Sequence, residues 1–298
     1  MAAQTVKKFH EEIDHKTRLV AAELAKKYHE DQIDKAREEL QELVNTGKLS
    51  AFDMLRLAYA SQFSIANHHH DDAGRTTSTD DKTKETDLSA KKNYLETIAK
   101  LKEKYHRITS RDLYQLAGIV AVKTLKGPDI DFVHVRMDLP ISPDESCLPD
   151  ITLRLPELRD VFGKVKISEP KHIVALYGGL KLARGGAQDA KLKFDDSAHL
   201  FKEKDLSPTE KAMLEDKEFG EWVKLYAQKN EDFLKDYKEA HKKLFEFNLP
   251  YSAIIKEKLS QVKKAVGVGV VVAAAVVILS VFYVINRRRA KHSSQQFQ

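Results

Sequence analysis

The sequence contains few cysteines, prolines and glycines, the residues that form disulfides, turns and irregular segments. Its 298 residues include one cysteine, eight prolines and twelve glycines. The single cysteine, Cys147, excludes an intrachain disulfide and favours a reducing compartment. The low glycine and proline content excludes collagen-like and low-complexity chains. Because 42% of the residues are hydrophobic and 32% are charged, a globular chain with a substantial core is expected.

The sequence also lacks a strong net charge and several recognisable motifs. The formal net charge of +5 is modest for this length, and lysines are interleaved with acids. This mixture is typical of a solvated helical surface, so we expect no nucleic-acid partner. No phosphate-binding glycine loop is present, which argues against a nucleotide site. The first residues include acids and no apolar run, so we expect no targeting segment there.

One long apolar run lies near the C-terminus. Residues 265–285 are 21 consecutive residues without a charge, and a helix of that length spans the roughly 30 Å of a bilayer core. Lysines precede the run at 263–264, and a basic cluster follows it at Arg287–Arg289 and Lys291. We therefore predict one transmembrane helix at 265–285, which contacts membrane lipid and inserts after synthesis as a tail anchor.

The remaining chain is predicted to form one domain. We assign residues 1–250 to a helical domain, 251–264 to a linker and 286–298 to a basic tail after the membrane helix. Residues 66–86 are polar and rich in Gly, Thr and Asp, which predicts a flexible loop within the domain.

Apolar residues in the domain recur at helical spacing, and strand-like alternation is scarce. Ser110–Thr124 begins with a serine, a good capping residue, and is apolar on most faces, so we expect it to be central. The fold class is therefore all-α. The predicted helices are Lys16–Gly47, Phe52–Ile65, Asp87–His106, Ser110–Thr124, Leu155–Lys164, Glu169–Arg184, Pro208–Glu215, Glu218–Ala227 and Glu231–Phe247.

Several longer segments, in one order, resemble a known family. They are DLYQLAGIVAVKTLKGPDIDF (Asp112–Phe132), LPDI (Leu148–Ile151), LRDVF (Leu158–Phe162), IVAL (Ile173–Leu176), AMLEDKEF (Ala212–Phe219) and YKEAHKKL (Tyr237–Leu244). They resemble ascorbate peroxidases, which are plant-type class I haem peroxidases. The VAAAVV run with its basic cluster is similar to the tail-anchored peroxisomal branch. The resemblance implies a haem peroxidase-like bundle of about ten helices that holds haem b between a distal and a proximal half.

At the distal haem positions, this chain departs from the family pattern. The family motif R-L-A-W-H reads Arg56 to Ala60 here, so an alanine replaces the histidine base that takes a proton from peroxide. Tyr59 replaces the tryptophan of that motif. Leu88 matches the asparagine that orients the base. Only the arginine of this distal set is retained.

The proximal positions depart in the same way. The family motif G-A-H-T-L-G-R reads Gly178 to Arg184, and Leu180 stands where a histidine ligates the iron. Glu210 matches the acid that orients this ligand. Gly186 matches a histidine that meets a haem propionate, and the segment with the proximal tryptophan has no counterpart. The resemblance therefore implies a degenerate haem site.

Two further functions of the family fall on altered positions. Lys48 matches the lysine that contacts ascorbate, but Asp189 replaces the partner arginine, so substrate binding at Lys48 is only weakly supported. Lys181 matches a threonine that binds a monovalent cation. We predict that its ammonium pairs with Asp195 or Asp196 and replaces that ion.

The predicted function is that of a non-catalytic pseudo-peroxidase without haem, a membrane-anchored binding or structural subunit for an unidentified protein partner. We expect it at the peroxisomal membrane, facing the cytosol; the endoplasmic reticulum and mitochondria are alternatives. One alternative function is a haem-dependent peroxidase of ascorbate and hydrogen peroxide with Tyr59 as iron ligand. Another is a small-ligand binder that uses the vacated pocket. The run His68 to Asp72 suits zinc or copper by residue type, but consecutive loop residues rarely converge on one ion, so we predict no metal site.

Overall fold

The computed structural model describes most of the first 250 residues. The chain divides into two compact units, Met1–Phe247 and Asn248–Gln298, and every described residue except Leu249 belongs to the first unit. The predicted linker, membrane helix and basic tail lie outside the described residues. None of the described helices is both long and apolar enough to span a membrane. The described residues are 29–71, 85–134, 136–185, 192–201, 206–247 and 249.

The described residues are all-helical, as predicted, and contain ten α-helices. A short 3-10 helix, Glu145–Cys147, interrupts the irregular connection between α4 and α5. The helices are α1 (described over 29–45), α2 (Ala51–Asp71), α3 (Glu85–Lys104), α4 (Ser110–Thr124), α5 (Leu155–Lys164), α6 (Pro170–Gly185), α7 (Ser197–Leu200), α8 (Pro208–Glu215), α9 (Lys217–Gln228) and α10 (Asn230–Glu246).

Local sequence signals place several helix boundaries. Helix α8 begins at a capping box in which Ser207 and Glu210 each accept a hydrogen bond from the other's backbone N–H. Helix α4 has the predicted bounds, but its N-cap is Thr109, whose hydroxyl accepts from the Asp112 N–H at 3.0 Å. The Ser110 N–H is instead bound by the Asp138 carboxylate at 2.7 Å. Predicting Ser110 as the cap was therefore wrong by one residue.

Two other predictions need correction. The flexible loop was predicted to begin at Ala66, but α2 continues to Asp71 because Ala66 is itself buried and extends the packed face of the helix. Helix α3 begins at Glu85, inside the predicted loop, and residues 72–84 lie outside the described residues. Helix α7 was not predicted because four residues are too few to display a helical period.

The core is built around α2, which packs against α4 on one side and α6 on another. A Cβ added to Gly118 of α4 would lie 2.6 Å from the Ala58 Cβ, so α2 and α4 approach closely because Gly118 has no side chain. Helix α10 packs against α6. Its His241 is fully buried beside Phe245, and burial lowers the pKa of this imidazole to about 3. The histidine is therefore neutral at physiological pH.

Helices α2, α6 and α10 meet at a pair of tyrosines. Tyr59 of α2 and Tyr237 of α10 are fully buried, and the Tyr59 hydroxyl donates to the Tyr237 hydroxyl at 3.0 Å. Gly179 of α6 lies directly against both rings. A Cβ added there would be 2.5 Å from Tyr237 Cε2 and 2.7 Å from the Tyr59 hydroxyl oxygen. The two tyrosines therefore fill the space next to Gly179, and no larger residue fits at that position.

The hydrogen bond between the two tyrosines is testable by a double-mutant cycle. Tyr59→Phe leaves the buried Tyr237 hydroxyl without this donor, so we expect a loss of roughly 1–2 kcal/mol in the free energy of unfolding. Tyr237→Phe should cost a similar amount. The double variant should lose less than the sum, with a coupling of about 1 kcal/mol. Denaturant unfolding of the full-length chain in detergent measures all three.

Tyr94→Phe is the matched control. The Tyr94 hydroxyl is also buried but has no hydrogen-bond partner in the described part of the chain, so removing it should leave stability unchanged or increase it. Strictly additive losses at Tyr59 and Tyr237 would contradict the contact.

Candidate functional site

The retained arginine of the distal motif lies on α2 and is held by two carboxylates. Arg56 Nη2 lies 2.8 Å from Asp53 Oδ1, one helical turn earlier. Arg56 Nε lies 2.7 Å from Glu145 Oε2, which the 3-10 helix brings to the side chain. The Arg56 residue is 9% exposed. Two carboxylates therefore pair with the Arg56 guanidinium. In a peroxidase, this positive charge would instead act on the departing oxygen of peroxide.

The side chains at the two axial positions do not fit an iron-bound haem. Ala60 on α2 and Leu180 on α6 are both fully buried. Alanine has no group that accepts a proton, and leucine has no lone pair for a metal. Between these helices, Tyr59 contacts Gly179 directly. The space between α2 and α6 at this point holds protein side chains.

Tyr59 is the one residue of the altered distal motif that carries a possible iron ligand. Tyrosine can ligate haem iron, but the Tyr59 hydroxyl is engaged with Tyr237. Its ring also packs edge-on against His241 and Phe245. Burial raises the pKa of the Tyr59 hydroxyl well above its ordinary value. The anionic form that binds iron is therefore disfavoured, and the residue acts as core packing.

The predicted partner of Lys181 was wrong. Lys181 Nζ lies 2.7 Å from Glu210 Oε1, and no ion pair joins it to either predicted aspartate within the described residues. Asp195 instead lies 3.0 Å from Lys126 Nζ. Asp196 caps α7 by accepting from the His199 N–H at 3.0 Å. The cause is geometric: Lys181 projects from α6 towards the start of α8, where Glu210 is available.

Glu210 therefore pairs with Lys181, although Leu180 replaces the histidine that the matching acid orients in the family. Its Oε2 accepts from the Ser207 N–H at 2.8 Å and closes the capping box of α8. Its Oε1 receives Lys181. Glu210 is 6% exposed, and a buried carboxylate without a cation would be costly. The Lys181 ammonium thus neutralises the Glu210 carboxylate, which matches the acid that orients the iron ligand in the family.

Lys48 lies away from this cluster, in a surface hollow of about 420 Å³. The lining also includes Lys35, Lys104 and three glutamates, Glu38, Glu39 and Glu42, so its charges balance and it is not a cationic site built for an anion. Lys48 is exposed, and its carbonyl accepts from Asn93 Nδ2 at 3.1 Å.

Three altered positions cannot be placed in the site. Gly186 and Asp189 lie outside the described residues. Leu88 lies within α3, but its side chain is not among those described.

The histidine run lies on helix α2, not in a loop. Residues His68, His69 and His70 are consecutive positions of this helix, which are about 100° apart around its axis. Asp72 lies outside the described residues. Within the part of the chain that is described, no group of three or more His, Cys, Asp or Glu side chains is arranged to hold a metal.

Some residues that shape the site were not anticipated from the sequence. Asp53 precedes Arg56 by three positions, a spacing that brings side chains together on a helix and could have been recognised. Glu145 and Tyr237 are distant in the chain from their partners Arg56 and Tyr59. No local pattern identifies such pairs.

Comparisons with known proteins agree with this architecture. The family model "Peroxidase" matches residues 36–191. "L-ascorbate peroxidase 3" of Arabidopsis thaliana is 39% identical over 276 residues, which cover 86% of this chain and 95% of that protein. "Probable L-ascorbate peroxidase 4, peroxisomal" of Oryza sativa subsp. japonica is 38% identical with the same coverage. "L-ascorbate peroxidase 1, cytosolic" of the same subspecies is 36% identical over 72% of this chain and 92% of its own length. The chain therefore belongs to the peroxidase family, as an ascorbate peroxidase-like member.

Proposed function

We propose that this protein is a non-catalytic pseudo-peroxidase that binds no haem and serves as a membrane-anchored binding or structural module. The observation that carries the proposal is the direct contact of Tyr59 with Gly179, between the helices that bear Ala60 and Leu180. A haem would have to displace the Tyr59 ring and break its hydrogen bond to Tyr237. It would gain no axial bond in return at either family position.

The charges around the former site support the same proposal. A peroxidase needs a cationic group that is free to pull on peroxide oxygen. Arg56 is bound to Asp53 and Glu145, and Lys181 is bound to Glu210. These ion pairs stabilise the folded scaffold and leave neither cation aimed at a substrate.

The haem-dependent alternative uses the activity that the relatives' names state, L-ascorbate peroxidation. It requires Tyr59 as an iron ligand. The raised pKa of this hydroxyl and its hydrogen bond to Tyr237 both count against that role. We therefore favour the pseudo-peroxidase.

A C-terminal membrane anchor completes the proposal. An alignment that covers 86% of the 298 residues includes about 256 of them, so it extends at least into the predicted linker that follows residue 250. The cytosolic relative aligns over only 72% of the chain. Two further relatives from rice and Arabidopsis also carry the word peroxisomal in their names. The uncharged run 265–285 supplies the anchor, and the peroxisomal membrane, with the domain facing the cytosol, is the proposed location.

Haem titration tests the pseudo-peroxidase directly. Purified full-length protein in detergent is titrated with hemin, and the Soret band is recorded for wild type and Tyr59→Phe. We expect no saturable band at one haem per chain in either protein, because the axial positions are occupied by Ala60 and Leu180. A stoichiometric Soret band in wild type that is lost in Tyr59→Phe would overturn the proposal and support the haem-dependent alternative.

The anchor is tested by deletion and by charge replacement. Removing residues 265–298 should release a tagged protein from membranes and preserve its cooperative unfolding, because the helical domain has its own core. Replacing Arg287–Arg289 with serine should move the tagged full-length protein away from peroxisomes. Lys242→Ser together with Lys238→Ser on α10 is a control that changes charge elsewhere. Aggregation of the deleted form, or unchanged targeting of the serine variant, would contradict this part of the proposal.

A further inference from the structure

Two histidines that are far apart in the sequence meet on the surface of the domain. His29 lies at the start of the described part of α1, and His134 lies in the connection that follows α4. His29 Nε2 and His134 Nδ1 are 3.2 Å apart. The ring centroids are 4.6 Å apart with an interplanar angle of 61°. Both residues are half-buried, so the pair is accessible from solvent.

The separation of these nitrogens suits a shared metal ion. Zinc binds histidine nitrogen at about 2.0–2.1 Å, so two imidazole nitrogens on one tetrahedral zinc lie roughly 3.3 Å apart. One of these two nitrogens carries the shared proton, so metal binding requires that proton to move to the other nitrogen of its ring and both rings to rotate modestly. Both lone pairs then point towards one position, and imidazole nitrogens are common ligands of zinc, nickel and copper.

A third donor lies on the same helix face. Gln32 follows His29 by three residues, a spacing that makes side chains neighbours on a helix. Gln32 is 6% exposed, and its buried Oε1 has no hydrogen-bond partner among the described residues. An unpaired amide oxygen is costly in the interior of a protein. A metal ion beside His29 would satisfy it.

We propose that His29 Nε2 and His134 Nδ1 bind one divalent transition-metal ion of the zinc, nickel and copper class, with Gln32 Oε1 and water in the remaining positions. Only two of the donors are imidazoles, and no cysteine takes part, so the site is open and exchangeable. Because its ligands come from α1 and from the connection after α4, the bound ion links these two segments. The site is independent of the pseudo-peroxidase proposal.

The test uses Zn²⁺ and Ni²⁺ with full-length protein in detergent. The variant His68→Gln/His69→Gln/His70→Gln serves as background, because these three consecutive histidines are a competing source of imidazole. Isothermal titration should give one saturable site in this background. Adding His29→Gln or His134→Gln should weaken its affinity at least about tenfold, as expected for the loss of one of two imidazoles. Nitrogen-15 spectra should show both imidazoles shifting together on addition of Zn²⁺.

His106→Gln is the matched control, since His106 is an exposed histidine on the same domain, and it should leave the affinity unchanged. Thermal unfolding without metal establishes that each variant is folded. Gln32→Leu should weaken binding less than loss of either histidine. Absence of a saturable site in the background variant would overturn the proposal. Equal affinities of the His29→Gln, His134→Gln and His106→Gln variants would also overturn it.

Discussion

The hydrogen bond between Tyr59 and Tyr237, made across Gly179, is the contact on which the rest of this site depends. It joins α2, α6 and α10, and two of these helices, α2 and α6, carry Ala60 and Leu180. Two buried hydroxyls satisfy each other there, so neither requires water or a ligand. Gly179 permits the approach because a larger residue would collide with both rings. The two side chains thus fill the space beside Gly179.

Charged residues near this contact also join separate elements of the scaffold. Arg56 joins α2 to the 3-10 helix through Glu145, and Lys181 joins α6 to α8 through Glu210. A third, fully buried pair connects Arg136 to Asp112 at 2.7 Å, and the Arg136 guanidinium also donates to the Phe245 carbonyl at 2.6 Å. Removing one member of such a pair leaves a buried charge without a partner. These pairs therefore help to specify how the helices pack.

The sequence predicted those features that depend on neighbouring residues. The bounds of α4, α5 and α8 were predicted correctly because periodic apolar residues end at clear capping or proline signals. The substitutions at Ala60 and Leu180 could be recognised because the residues that flank them match the family motifs. Contacts between distant segments were not predictable in this way. The contacts of Lys181 with Glu210 and of Tyr59 with Tyr237 depend on how the helices pack. The spacing of residues within one helix does not encode that packing.

The central claim is that packing, and not only a missing ligand, excludes haem from this domain. The variant Leu180→His separates these two causes, because it restores an imidazole at the proximal position and leaves the Tyr59–Tyr237 contact in place. After thermal unfolding has established that the variant is folded, hemin is titrated and the Soret region is recorded. The account predicts no band that saturates at one haem per chain. Stoichiometric uptake with the spectrum of a histidine-ligated haem would contradict it, since the lost ligand alone would then explain the absence of the cofactor.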